Sequence, residues 1–177
     1  MLGAAAVALA AFGLFWFQPH KLFIDERVSD TIPVVEPTVP DTTAPATDGE
    51  SGGTTTSAPP PAEPEVLAAG EFVSIDHGTT GVVRVLGLAD GSRIVRLEGL
   101  DTDNGPDLYL YLSTSPADGA EGTFDDDIAN LGRLRGNQGD QNYDLPADVD
   151  LDRFASVVIW CDRFDSAFGA ADLALAN

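Results

Sequence analysis

The chain has 177 residues and one cysteine, Cys161, which closes the apolar run Val157-Val158-Ile159-Trp160-Cys161. A lone thiol cannot close a disulfide within its own chain, so it must pack, hold a metal, react or meet a second molecule. On a strand, Cys161 shares one face with Val157 and Ile159. If that face is the core, the sulfur is an inert packing group. If the sulfur is partly exposed, Arg163 on the same face is the local positive charge that redox or thiol-exchange chemistry needs. An exposed thiol oxidises readily in an oxidising exterior, so survival as a free thiol favours burial.

Three other groups of residues carry chemistry by type. His77, beside Asp76, could join Cys161 as imidazole and thiolate ligands of copper or iron; two ligands are not a site, and a turn histidine bonded to a carboxylate or backbone is the simpler reading. Asp101-Thr102-Asp103-Asn104-Gly105-Pro106-Asp107 places three carboxylates, Asp101, Asp103 and Asp107, and one amide within seven residues, oxygen chemistry that suits calcium. Glycine falls at the fifth position and no glutamate at the twelfth, so this is not an EF-hand loop, and a loop leading into a strand, with Asp107 accepting backbone N–H bonds, is the simpler reading. Tyr109 and Tyr111 project from one strand face, where they line a groove, form an electron-hopping surface or simply cover the sheet. Trp160 reads as a core residue, Asp125 to Asp127 as a solvated loop, and Asn137, Asp140 and Asn142 as turn residues with Tyr143 anchoring the loop. No nucleophile elbow, supported Cys and His pair or phosphate-cradling glycine loop is present.

These residues sit in a succession of short strand-like runs separated by polar turns. Glu71–Asp76 reads as a first strand. Gly81–Leu88 and Arg93–Leu100 flank Ala89-Asp90-Gly91-Ser92, a hairpin signal. Val95 and Leu97 share one face and Arg96 and Glu98 the other, the alternation of a half-buried strand. Leu108–Leu112 alternates leucine with tyrosine; Ile128–Arg135, the Val157 run and Ala171–Leu175 add further strands. Asp148 caps one helical turn over Val149–Phe154. Without a sustained 3.6-residue period, the pattern predicts an all-β fold over residues 67–177, a single sandwich or barrel-like domain.

Upstream, Met1–Phe17 is apolar apart from glycines, and Trp16 suits a membrane–water interface. As a helix it would be about 24 Å long, short of the ~30 Å hydrocarbon core, so residues 1–20 read as a signal-anchor, with a cleaved signal peptide as the competing assignment. Residues 21–66 read as a disordered linker. Within them, Ser29–Glu65 is rich in Pro, Thr and Ala, with seven acids and no base, a composition that buries too little apolar surface to fold. It reads as a stalk spanning roughly 35 Å as a coil, holding the domain off a membrane. The net charge is −20, and residues 67–177 carry 20 acids against seven arginines. Such a field attracts cations or basic partners and argues against nucleic acid.

Asn104-Gly105-Pro106-Asp107-Leu108-Tyr109-Leu110-Tyr111-Leu112-Ser113, Leu134-Arg135-Gly136-Asn137-Gln138-Gly139-Asp140-Gln141-Asn142-Tyr143-Asp144-Leu145-Pro146, Val158-Ile159-Trp160-Cys161-Asp162-Arg163-Phe164 and Phe168-Gly169-Ala170-Ala171-Asp172-Leu173 resemble, in order and spacing, the DM-13 electron-transfer domain family. Gly70-Glu71-Phe72, Asp76-His77 and Thr80-Gly81 fit it too. The resemblance implies an extracytoplasmic β-rich module with a redox role centred on the cysteine that corresponds to Cys161. It names no cofactor that this chain can be shown to hold. The chain lacks a DOMON-like region and a C-x-x-C-H haem motif, so an electron partner would be another protein. The expectation is a single-pass, membrane-anchored module with its β domain outside the cytoplasm. Its role would be redox through Cys161, or non-catalytic binding of calcium, wall polymer or a protein partner with Cys161 a core residue.

Overall fold

A computed structural model describes residues 12, 25–35, 63–120 and 122–176. Eleven strands form two sheets: β1 (Arg27–Ser29), β2 (Glu65–Glu71), β3 (Val73–Ser74), β4 (Thr79–Gly87), β5 (Arg93–Thr102), β6 (Leu108–Ser113), β7 (Ile128–Arg133), β8 (Gln138–Leu145), β9 (Ser156–Cys161), β10 (Ser166–Asp172) and β11 (Ala174–Leu175). One sheet has the order β1-β8-β5-β4-β2-β11 and the other β3-β10-β9-β6-β7. The all-β sandwich expected from the sequence is the fold.

The core between the sheets follows from period-two alternation. Val83, Val85, Val95 and Leu97 point inward from β4 and β5, to meet Leu108, Leu110 and Leu112 of β6 and Val157, Ile159 and Cys161 of β9. β9 is buried along its whole length, because its other face is covered as well. There Val158 and Trp160 pack with Tyr111, Ala167 and Ala170 beneath Ala117 and Phe124 of the long loop after β6. Burial on both faces explains why the sequence of β9 shows no polar alternation.

Several elements differ from the sequence expectation. The expected hairpin is present: the Asp90 turn closes β4 onto β5, with the Asp90 side chain accepting from the Ser92 backbone (2.9 Å) and hydroxyl (2.6 Å); the differences lie elsewhere. The expected first strand is divided at Phe72, whose N–H bonds Gly81 O (2.9 Å). The helical turn is a 3-10 turn at Leu151–Arg153, capped by Asp150 and not by Asp148. Residues 138–145, read as a polar turn, form β8, flanked by β5 and β1.

The largest difference lies at the N-terminal side. Arg27–Ser29 falls inside the expected linker, yet it pairs in parallel with β8, Arg27 opposite Gln138 and Ser29 opposite Asp140. Ile32 and Val35 then pack on Leu86, Leu88 and Ile94, on the outer face of the first sheet. Residues 25–35 are therefore part of the sandwich. The expected anchor and the Pro-rich tract fall outside the described residues, apart from Phe12 and the tract's two ends. Among the described residues no helix is long and apolar enough to cross a membrane.

Candidate functional site

Both sheets contribute to one end of the sandwich, where two of the glycine-containing motifs converge. Asn104-Gly105-Pro106, just before β6, and the Arg133–Asn137 segment, between β7 and β8, line an open cleft of about 350 Å³ together with Leu108, Asp25 and Glu26. Gly105 is required there by close packing. A Cβ at this position would lie 2.8 Å from Leu108 Cδ2 and 3.0 Å from Phe168 Cζ, so only a residue without a side chain lets the loop lie flat on those two.

Cys161 lies at this end, behind the cleft. It is the antiparallel partner of Leu108, and paired residues project from the same face of a sheet. Leu108 is 6% exposed and reaches the cleft, whereas Cys161 is 0% exposed and belongs to the inter-sheet core. Leu108, the cross-strand neighbour of Cys161, thus lines the cleft, whereas Cys161 does not. The backbone around the thiol is fixed by Asp162 N–H to Asp107 O (3.0 Å) and Phe164 N–H to Cys161 O (3.1 Å).

The other candidates are distributed around this end. The His77 ring packs on Phe168 at a centroid distance of 3.8 Å, and its Nδ1 is 3.2 Å from Asp103 Oδ2. Phe168 belongs to the same buried cluster as Cys161, so His77 and the thiol share an end of the fold without forming a ligand set. The three carboxylates of the Asp101–Asp107 loop have separate partners. Asp101 accepts from Gln138 Nε2 (3.2 Å), Asp103 holds His77 and the Gly78 N–H, and Asp107 pairs with Arg133. Among the described residues no three His, Cys, Asp or Glu side chains are grouped to hold a metal ion. Asp127, in the acidic loop, is held by both oxygens to Arg153 Nη2 at 2.6 Å.

The aromatic residues form a short series on the outer face of the second sheet. Trp160 stacks on Tyr111 (6.5 Å), Tyr111 neighbours Tyr109 (6.1 Å), and the Arg133 guanidinium lies 5.1 Å over the Tyr109 ring. Burial, with the nearby Asp162 carboxylate adding to it, pushes the Tyr111 phenol up to about 12.

Residues that the sequence reading took for turn chemistry build the cleft's rim by receiving the N-terminal strand. Asn137 accepts the Glu26 N–H (2.7 Å) and donates to Asp25 (2.9 Å) and Thr102 O (3.0 Å). Gly136 and Gly139 are cut to the backbone opposite them: an added Cβ would lie 2.3 Å from Glu26 O and 2.0 Å from Val28 O. Gly139 also has φ +93. Asp30 then inserts among Arg135, the Asn142 N–H (2.9 Å) and, through its carbonyl, Arg96 (3.2 Å). The Arg135 guanidinium holds the Asp30 carboxyl below the usual carboxylate range. Tyr143, tucked into the core, accepts the Arg135 N–H (3.1 Å) and donates to Gln141 (2.8 Å), and its burial raises the phenol above its ordinary value. The signal available in the sequence was Gly139 inside a strand, with Gly136 just before it, where glycine marks a close backbone approach.

Fold and cleft together define a two-sheet domain whose glycine motifs and single buried thiol meet at one end. The family model described as "Electron transfer DM13" matches residues 71–173, and the chain belongs to that family. No curated protein and no solved structure matches it.

Proposed function

We propose that this chain is an electron-transfer accessory protein, held at a membrane by its apolar N-terminal stretch with the β domain outside the cytoplasm, and that it acts through Cys161. The observation that carries the reading is the cross-strand pair of Leu108 and Cys161, with Leu108 lining the cleft that the motifs build. Displacing one leucine side chain would bring the sulfur to the cleft. The chemistry open to a single thiol there is exchange with a partner disulfide. The Cys161 thiolate attacks one partner sulfur, a mixed disulfide forms, and the partner's second sulfur leaves and takes up the proton that Cys161 lost. A thiol of a second molecule then attacks the partner sulfur of the mixed disulfide and releases the Cys161 thiolate, which takes up that thiol's proton, so the disulfide passes from one molecule to the other without a cofactor.

A second reading is favoured by the complete burial of the sulfur. In it the domain is a non-catalytic binding module of the cell envelope, for calcium, wall polymer or a protein partner, and Cys161 is a packing residue. Incubating the native full-length protein with oxidised glutathione and weighing it intact separates the two. One adduct at Cys161, more abundant in Leu108→Ala, is expected. No adduct in either protein while both remain folded would leave the binding reading.

A further inference from the structure

We infer that the cleft end of the sandwich faces the lipid surface and that the acidic Pro-rich tract is an excursion from the opposite end, not a stalk. This rests on the anchoring part of the function proposed above and fixes how the domain is presented to the membrane.

β1 fixes the distance between the domain and the apolar stretch. The apolar stretch ends at Phe17, and the strand-forming segment begins at Asp25, eight residues later. Eight residues reach at most about 28 Å even when fully extended. Asp25 and Glu26 line the cleft, so a chain inserted up to Phe17 holds the cleft end within that distance of the membrane. β1 is bound firmly enough to act as the tether, through its parallel pairing with β8 and the Asp25, Glu26 and Asp30 bonds.

The tract, by contrast, cannot set the spacing, because both of its ends are fixed to the same place. Val35 packs on the Leu86, Leu88 and Ile94 cluster, and Glu63 lies in a shallow pocket with Leu88 and Ser92. That is the far end of the sandwich. β5 runs from Arg93, opposite Leu145, to Asp101, opposite Gln138, about 26 Å at 3.3 Å per residue. The residues that flank this tract, Val35 and Glu63, therefore both lie on the side away from the lipid.

The cleft end also presents one large apolar side chain to solvent. The turn between β9 and β10 carries Phe164, 59% exposed, next to Arg163. Arg27 and Arg133 lie at the same end, beside the carboxylates of Asp25, Glu26 and Asp107. An exposed aromatic next to an arginine seats at headgroup level.

The test uses the full-length protein in vesicles of phosphatidylcholine and phosphatidylglycerol with a small fraction of acceptor-labelled headgroups. Donor probes are placed at Asp162→Cys or Ser92→Cys in a Cys161→Ala background. Energy transfer from position 162 should exceed that from position 92 by about twofold or more, as expected from the ~26 Å between the ends. Gly139→Val, which expels β1, should abolish the difference, and Asp30→Asn should reduce it if the glycine variant does not fold. Equal transfer, or more from position 92, in protein that floats with the vesicles would overturn the orientation alone. Protein that does not float would overturn the anchoring and the orientation with it.

Discussion

At the residue scale, Cys161 is fully buried while its cross-strand neighbour Leu108 lines the cleft. The sulfur is packed between two sheets, so Cys161→Ser places a hydroxyl where the neighbouring side chains are apolar, at a cost of about 1–3 kcal/mol. Thermal melting should show that loss, and Cys161→Ala should recover part of it. Leu108→Ala removes the side chain between thiol and cleft. It should cost about 2–5 kcal/mol as a core truncation and, unlike an equivalent truncation at Leu112 on the far end of the same strand, increase thiol reactivity in native protein. The candidate site was only partly legible here. Cys161 and its alternation with Val157 and Ile159 could be read directly, but which face of β9 lies inward could not, because both are covered. Leu108 had no chemical signature at all. It matters only through its cross-strand register, which a sequence does not print.

At the element scale, the strands with one wet face were the readable ones. β5 and β6 alternate, and the Asp90-Gly91 turn announces the hairpin. β8 was hidden because Asn137, Gly139, Asp140 and Asn142 are turn-forming types. Here they serve β1, which supplies the backbone partner that such polar residues would otherwise seek in a turn. β1 was hidden for the complementary reason: three residues are too few for a periodic signal, and their stability comes from Asp30, Asn137 and the two glycines. Gly139→Val should cost about 1–3 kcal/mol from its positive φ alone and release β1 as well, seen as lost amide protection at Gln138 and Asn142. Acidification offers a reversible version. The Asp30 carboxyl is held below its ordinary value by Arg135. Its contribution is therefore present above the unfolded carboxylate pKa near 4 and is lost as pH falls through the lower folded value. Protection of the Asn142 amide should fall over that acid range, and Asp30→Asn should show the weaker protection already at neutral pH.

At the scale of the whole molecule, the sandwich places the glycine loops of two motifs and the buried thiol at one end, and Val35 and Glu63, which flank the acidic tract, at the other. The four motifs made the family legible before the fold was known, while their convergence was not, since it depends on sheet order. In the orientation we propose, the N-terminal strand ties that arrangement to the apolar stretch and presents the thiol-bearing end toward the membrane. The claim on which the functional account depends is that Cys161 is reached through the cleft by a local movement of Leu108, without unfolding of the domain. The most direct test is the rate of Cys161 modification by an aromatic disulfide as urea is raised through the native baseline. Local access gives a rate almost independent of urea in the native range, and faster in Leu108→Ala, because little surface is exposed in the opening. A rate that climbs with the full urea dependence of global unfolding, in both proteins, would contradict it.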